Sequence, residues 1–119
     1  HLLSYQYMAS STGHDAEQLA KQYLLDNSLQ FLEQNYRVKV GEIDLIMLDK
    51  QQLVFVEVKF RSTNTYGCAA EYFTFKKRKR LERAINCYLL QNKMNTHHTN
   101  LRIDVVAIDG EQVNWIKNV

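Results

Sequence analysis

Two almost purely apolar runs, Glu42 to Leu48 and Leu53 to Phe60, are separated by only four polar residues, Asp49-Lys50-Gln51-Gln52. Both are rich in Ile, Val, Leu and Phe, and the polar break between them predicts an antiparallel hairpin. Neither run alternates cleanly with polar residues. Both faces of the hairpin must then be covered, which puts it in the middle of a sheet with helices on either side.

The register of this hairpin decides where its few charged side chains point. A loop of two residues (Lys50-Gln51) or four (Asp49 to Gln52) makes opposing positions sum to 101, so Leu48 faces Leu53 and Asp44 faces Glu57. Opposed residues share a face, with Cβ atoms about 4.5–5.5 Å apart. Lys59, two residues after Glu57, points the same way, while Val54, Val56, Val58 and Phe60 take the other face. Like charges directly opposite destabilise a sheet, and partial burial makes ionising both costlier still. A divalent cation resolves the conflict: Mg²⁺ takes oxygen ligands, keeps several waters and often uses only one or two carboxylates. The Val58 carbonyl, between Glu57 and Lys59, offers a further oxygen. The spacing alone leaves another arrangement open, with Asp44 and Glu57 at strand ends in water and Lys59 paired to Glu57 or Glu42.

The rest of the chain supplies the covering helices. Ala16, Leu19, Ala20, Tyr23 and Leu24 follow helical spacing and predict a helix from 13 to about 27, with Ser11 or Thr12 as its cap and Asp15 positioned for a capping box. Tyr36, Val38 and Val40 alternate with Arg37 and Lys39, a strand open on one side and broken by Gly41. A polar and aromatic loop runs through Tyr66-Gly67. Leu81, Ala84, Ile85, Tyr88 and Leu89 mark a second helix, with Thr74 as N-cap. Leu101 to Ile108 is a strand, Asp109-Gly110 a turn, and Gln112 to Lys117 the returning strand. The order α-β-β-β-α-β-β predicts an α/β fold with a mixed sheet flanked by helices. Residues 1–11 lack periodicity and are expected to be a disordered or expression-derived segment, leaving 12–119 as one domain.

Charge is unevenly spread. Lys76 to Arg83 contains six basic residues and one acid, a local charge of +5, so the rest of this +2 chain carries −3. Lys76, Lys77, Arg78, Lys79 and Arg80 fall in the first turns of the second helix, where the partial positive charge of the helix terminus disfavours cations by about 0.3–1 kcal/mol each. A bound phosphate reverses that sign. These five, with Arg83 and with Arg61 on the Lys59 face, are the expected nucleic-acid contacts, gripping backbone rather than reading bases. His97-His98 is read as exposed linker rather than as a metal site, and Trp115 and Ile116 as packing residues. Two cysteines, no metal-type cysteine spacing and no apolar run of about 18 residues suit a cytoplasmic protein that does not enter a membrane.

Gly41-Glu42-Ile43-Asp44-Leu45-Ile46 followed by Leu53-Val54-Phe55-Val56-Glu57-Val58-Lys59 resembles the core of the YraN-like bacterial family. That family lies within the PD-(D/E)xK nuclease superfamily and resembles archaeal Holliday-junction resolvases. The likeness extends through Thr12-Gly13 and Glu17, Tyr66-Gly67, Lys77-x-x-Arg80-Leu81 and Arg102-Ile103-Asp104-Val105-Val106. It implies a restriction-endonuclease-like αβββαβ core with an extra C-terminal hairpin strand. It also implies Asp44 and Glu57 as ligands of Mg²⁺ or Mn²⁺, Lys59 as the catalytic lysine and Glu17 as a helix carboxylate joining the site. Glu17 could equally pair with Lys21 one turn on. Ile43 stands where the superfamily's name has proline. The implied activity is hydrolysis of DNA, branched or junction DNA in particular, with a homodimer as the working form. The alternative is a nucleic-acid-binding module that keeps the fold without cutting.

Overall fold

A computed structural model describes residues 13–61 and 73–119 of the 119-residue chain. The expected cap at Ser11 or Thr12, the segment 1–11 and the Tyr66-Gly67 loop lie outside the described residues. Helix α1 (Gly13–Asp26) leads into strands β1 (Gln30–Val38), β2 (Gly41–Asp49) and β3 (Gln52–Arg61), then helix α2 (Phe75–Gln91), β4 (Leu101–Asp109) and β5 (Gln112–Ile116). The five strands form one sheet in sequence order. β3 and β4 run parallel, joined through α2, and every other neighbouring pair is antiparallel. This is the helix-strand-strand-strand-helix-strand order of a restriction-endonuclease-like core, with β5 added.

Strand alternation sorts the apolar residues between two layers. Leu45, Met47, Val54 and Val56 are buried under the α1 residues Ala16, Leu19, Ala20 and Leu24, with Val58 and Phe60 at the margin. Ile46, Leu53 and Phe55 are buried under Leu81, Ala84, Ile85, Tyr88 and Leu89 of α2. The central hairpin is therefore covered on both faces. Its loop is Lys50-Gln51, and Leu48 pairs with Leu53 and Leu45 with Val56. Thr74 caps α2, its hydroxyl accepting a hydrogen bond from the Lys77 amide at 3.3 Å.

Three boundaries differ from expectation. β1 starts at Gln30, not near Tyr36, because a bulge between Phe31 and Glu33 breaks its period and most of Gln30–Asn35 lies at the open sheet edge. Val40 is exposed in the β1–β2 turn and belongs to neither strand. The last turn is Gly110-Glu111, with Gly110 in the left-handed region (φ 62°), since Asp109 still pairs with Gln112.

A polar network ties β4 to β5 and to the β2–β3 turn. Asp104 is fully buried and accepts hydrogen bonds from Arg102 Nε (3.0 Å), Trp115 Nε1 (2.9 Å) and the Asn118 amide (2.9 Å). Arg102 Nη1 continues to Asp49 and Gln52, both at 2.9 Å. Trp115 also meets Tyr23 edge-on, ring centres 6.2 Å apart, which anchors β5 to α1. Among the described residues no helix is long and apolar enough to cross a membrane.

Candidate active site at the fork between β2 and β3

The β2–β3 ladder ends at Leu45 and Val56. Beyond that pair β2 stays hydrogen-bonded to β1 as far as Gly41, and β3 stays with β4 as far as Arg61. The two central strands thus part, and the next residue on each is a carboxylate: Asp44 on β2 and Glu57 on β3. The fork is the mouth of a cleft of about 400 Å³, lined on the α1 side by Ala16 and Glu17 and on the α2 side by Lys77, with Asp44, Glu57, Val58 and Lys59 between them.

The acids interact through the fork. The Asp44 carboxyl is pushed up to about 8 by burial first and then by the Glu57 charge, with Glu17 adding to the rise. The opposing influence is the Val58 amide, which donates to Asp44 Oδ2 at 2.8 Å and favours the ionised form. Glu57 pairs with Lys59, Oε2 to Nζ at 3.0 Å, and each side chain is 15% exposed. Of the two arrangements left open by the spacing, the structure shows the acids facing each other at the head of the cleft; it takes from the other only the pairing of Lys59 with Glu57, since neither acid stands free in water.

The expected basic contacts divide into groups. Lys77 reaches the cleft, its ammonium beside that of Lys59, and this neighbour lowers the Lys77 pKa. Arg80 stands one turn along the same side. Arg78 and Lys79 turn away and both bond to Glu82, at 3.2 and 3.4 Å. Lys76 and Arg83 are exposed on the outer face of α2, and Arg61 sits at the end of β3, where its carbonyl accepts from Gly110. His97 and His98 are exposed, as their position in the linker suggested. Lys77 could have been singled out from the sequence, because it precedes Leu81, Ala84 and Tyr88 at helical spacing, a cation in line with the buried face. The Asp44–Val58 hydrogen bond had no such signal.

Gly41 brings α2 down onto the fork. A Cβ there would collide with the Arg80 carbonyl, so only glycine lets the first turns of α2 rest on the start of β2.

Among the described residues no group of three or more His, Cys, Asp or Glu side chains could hold a metal ion by protein ligands alone. The acids present instead suit a hard, water-rich cation. Such an ion needs only one or two carboxylates beside water and phosphate oxygens, and the mutual repulsion that raises Asp44 is what a divalent charge relieves. A transition-metal cage of imidazole and thiolate does not fit these residues.

Comparison with known proteins places the chain among bacterial relatives. The model of the uncharacterised protein family UPF0102 matches residues 16–108, from the end of the first turn of α1 to the last residue but one of β4. A UPF0102 protein of Aliivibrio fischeri (strain MJ11) is 44% identical over 108 residues, covering 89% of this chain and 88% of the relative. UPF0102 proteins of Vibrio cholerae (strain M66-2) and of Photobacterium profundum are each 46% identical over 108 residues, 89% of this chain and 88% and 86% of theirs. With a match this long, carrying the whole fork, the chain belongs to the UPF0102 family, the YraN family that its motifs resemble.

Proposed function

We propose that this protein is a Mg²⁺- or Mn²⁺-dependent endonuclease that hydrolyses phosphodiester bonds of DNA, with branched or junction DNA as its preferred substrate and the cytoplasm as its compartment. The observation that carries the reading is the pairing of Asp44 and Glu57 at a fork in the central sheet, with Lys59 alongside. Two mutually repelling acids held at the mouth of a cleft are poorly arranged for stability and well arranged for a cation.

Asp44 and Glu57 would hold the ion, with the Val58 carbonyl as a third oxygen. When bound, such an ion lowers the pKa of a water molecule and neutralises charge growing on the phosphoryl oxygens. Lys59, anchored to Glu57, presents a fixed ammonium that positions the attacking water and stabilises the developing negative charge. Glu17, across the cleft on α1, adds a carboxylate that can orient water at the ion. Lys77 and Arg80 hold the DNA backbone, with Lys76, Arg83 and Arg61 farther out.

One observation favours the second reading, a DNA-binding module that does not cut. Asp44 Oδ2 and Glu57 Oε2 already have protein partners, so the fork has a structural use without metal. Incubation of four-way-junction and linear DNA with Mn²⁺ decides between them. The nuclease reading expects strand cleavage that disappears in Asp44→Ala and Lys59→Ala, the junction being cut faster. Equal cleavage by wild type and Asp44→Ala would mark a contaminant and defeat it, and binding without cleavage would leave the second reading.

A further inference from the structure

Beside the acidic cleft lies a smaller chamber of about 140 Å³, bounded by Glu42, Glu57, Lys59, Lys77, Arg80 and Leu81. Its charges do not cancel. Glu57 is paired with Lys59 at 3.0 Å, and Glu42 with Arg37 of β1 at 3.3 Å. Lys77 and Arg80 form no ion pair among the described residues, and Lys77 lies against a second ammonium, that of Lys59. Their helix neighbours contrast with them. Arg78 and Lys79 are both neutralised by Glu82, and Arg78 also donates to the Val119 carbonyl at 2.7 Å. Glu57 offsets part of the repulsion at Lys77 but is itself bonded to Lys59, so the cluster keeps an excess of positive charge that an anion would relieve. The contact at Gly41 seats the first turns of α2, which carry Lys77 and Arg80, close over the start of β2.

The chamber also limits what the anion can be. It is well below the roughly 300–1,000 Å³ of pockets that enclose small organic ligands, a size that suits a phosphate group. It opens beside the acidic cleft, sharing Glu42, Glu57, Lys59 and Lys77 with it.

We infer that this chamber is a subsite for a single DNA phosphate, the neighbour of the one that is cut, held by Lys77 and Arg80. The inference rests on the nuclease reading and narrows its substrate. The preferred linkage is an internal one with an intact phosphate next to it, and a diester lacking that neighbour is bound poorly.

The test is binding without metal, so that no cleavage intervenes. Fluorescence anisotropy with a labelled duplex between about 50 and 200 mM salt compares wild type, Lys77→Ala/Arg80→Ala and Arg78→Ala/Lys79→Ala, with a neutral methylphosphonate walked along one strand. All four side chains are on a helix where alanine is favourable, and circular dichroism verifies the fold. The Lys77→Ala/Arg80→Ala protein is expected to lose about two from the slope of log K against log salt, and the Arg78→Ala/Lys79→Ala protein less than half of that. One methylphosphonate position should weaken wild-type binding about tenfold and leave Lys77→Ala/Arg80→Ala unaffected. Equal losses in the two double variants, or methylphosphonate effects that add in full to Lys77→Ala/Arg80→Ala, overturn the subsite and leave the nuclease reading standing. If the wild type fails to bind DNA at about 50 mM salt, both are overturned.

Discussion

The Asp44 carboxylate accepts a hydrogen bond from the Val58 amide, 2.8 Å away, where β2 and β3 separate. A backbone donor that has lost its β2 partner is thereby satisfied by a side chain. Asp44 mends the fork that exposes it. One of its oxygens supports the backbone while the carboxylate as a whole faces Glu57 and Glu17.

That double duty makes stability depend on pH. Asp44 rises from 3.8 to about 8 on folding, through burial and the charges of Glu57 and Glu17. Between those values the native state keeps a proton that the unfolded chain releases, so this contribution is full below about pH 4 and is lost as pH climbs through 8. Asp44→Asn keeps an acceptor for Val58 and removes the charge. In the metal-free protein, the Tm of Asp44→Asn should exceed that of wild type at about pH 8.5, with the gap narrowing towards about pH 5. A wild type that is the more stable of the two at pH 8.5 would show that the acids do not repel.

Gly41→Ala should be destabilising by about 1–3 kcal/mol, as expected when a group is forced into a packed contact. The added Cβ meets the Arg80 carbonyl, a backbone atom that cannot swing aside. Urea denaturation measures the loss. Because the strain falls on the first turns of α2, the folded fraction should also bind DNA more weakly. Unchanged stability would mean that α2 does not rest on β2 as closely as this.

Asp104→Ala tests the buried network on β4. It takes from Arg102, whose side chain is 11% exposed, one of its two acids, leaving only Asp49 at 2.9 Å, and strips the Trp115 indole and the Asn118 amide of their acceptor. Removing one member of a buried pair costs about 3–5 kcal/mol, read by urea denaturation. Metal affinity of the folded protein should stay the same, since Asp104 does not line the cleft and its carboxylate is taken up by Arg102, Trp115 and Asn118.

Much of the fold was legible because the central hairpin carries its own register. With only Lys50-Gln51 in the turn, every pair from Leu48–Leu53 to Leu45–Val56 follows by counting. What counting could not show is where the ladder stops. Asp44 and Glu57 come next in register, yet they stand where the strands diverge, and that depends on β1 and β4 pulling the two strands apart. The start of β1 was hidden for a related reason: on an edge strand with a bulge, only Phe31 of Gln30 to Asn35 packs against the core, too little to impose alternation. The basic block on α2 was visible as a block. Its division into cations beside the cleft and cations bound to Glu82 came only from the side on which each sits once Leu81, Ala84 and Tyr88 are buried.

Calorimetric titration of Mn²⁺ into the metal-free protein at about pH 7, wild type against Asp44→Asn, reaches the centre of this account. One ion per chain should bind to wild type with release of protons, because Asp44 is largely protonated at that pH and must give up its proton to act as a ligand. Asp44→Asn should bind at least about tenfold more weakly and without that proton release. Equal affinity and equal proton release in the two proteins would contradict the claim that Asp44 and Glu57 share a cation.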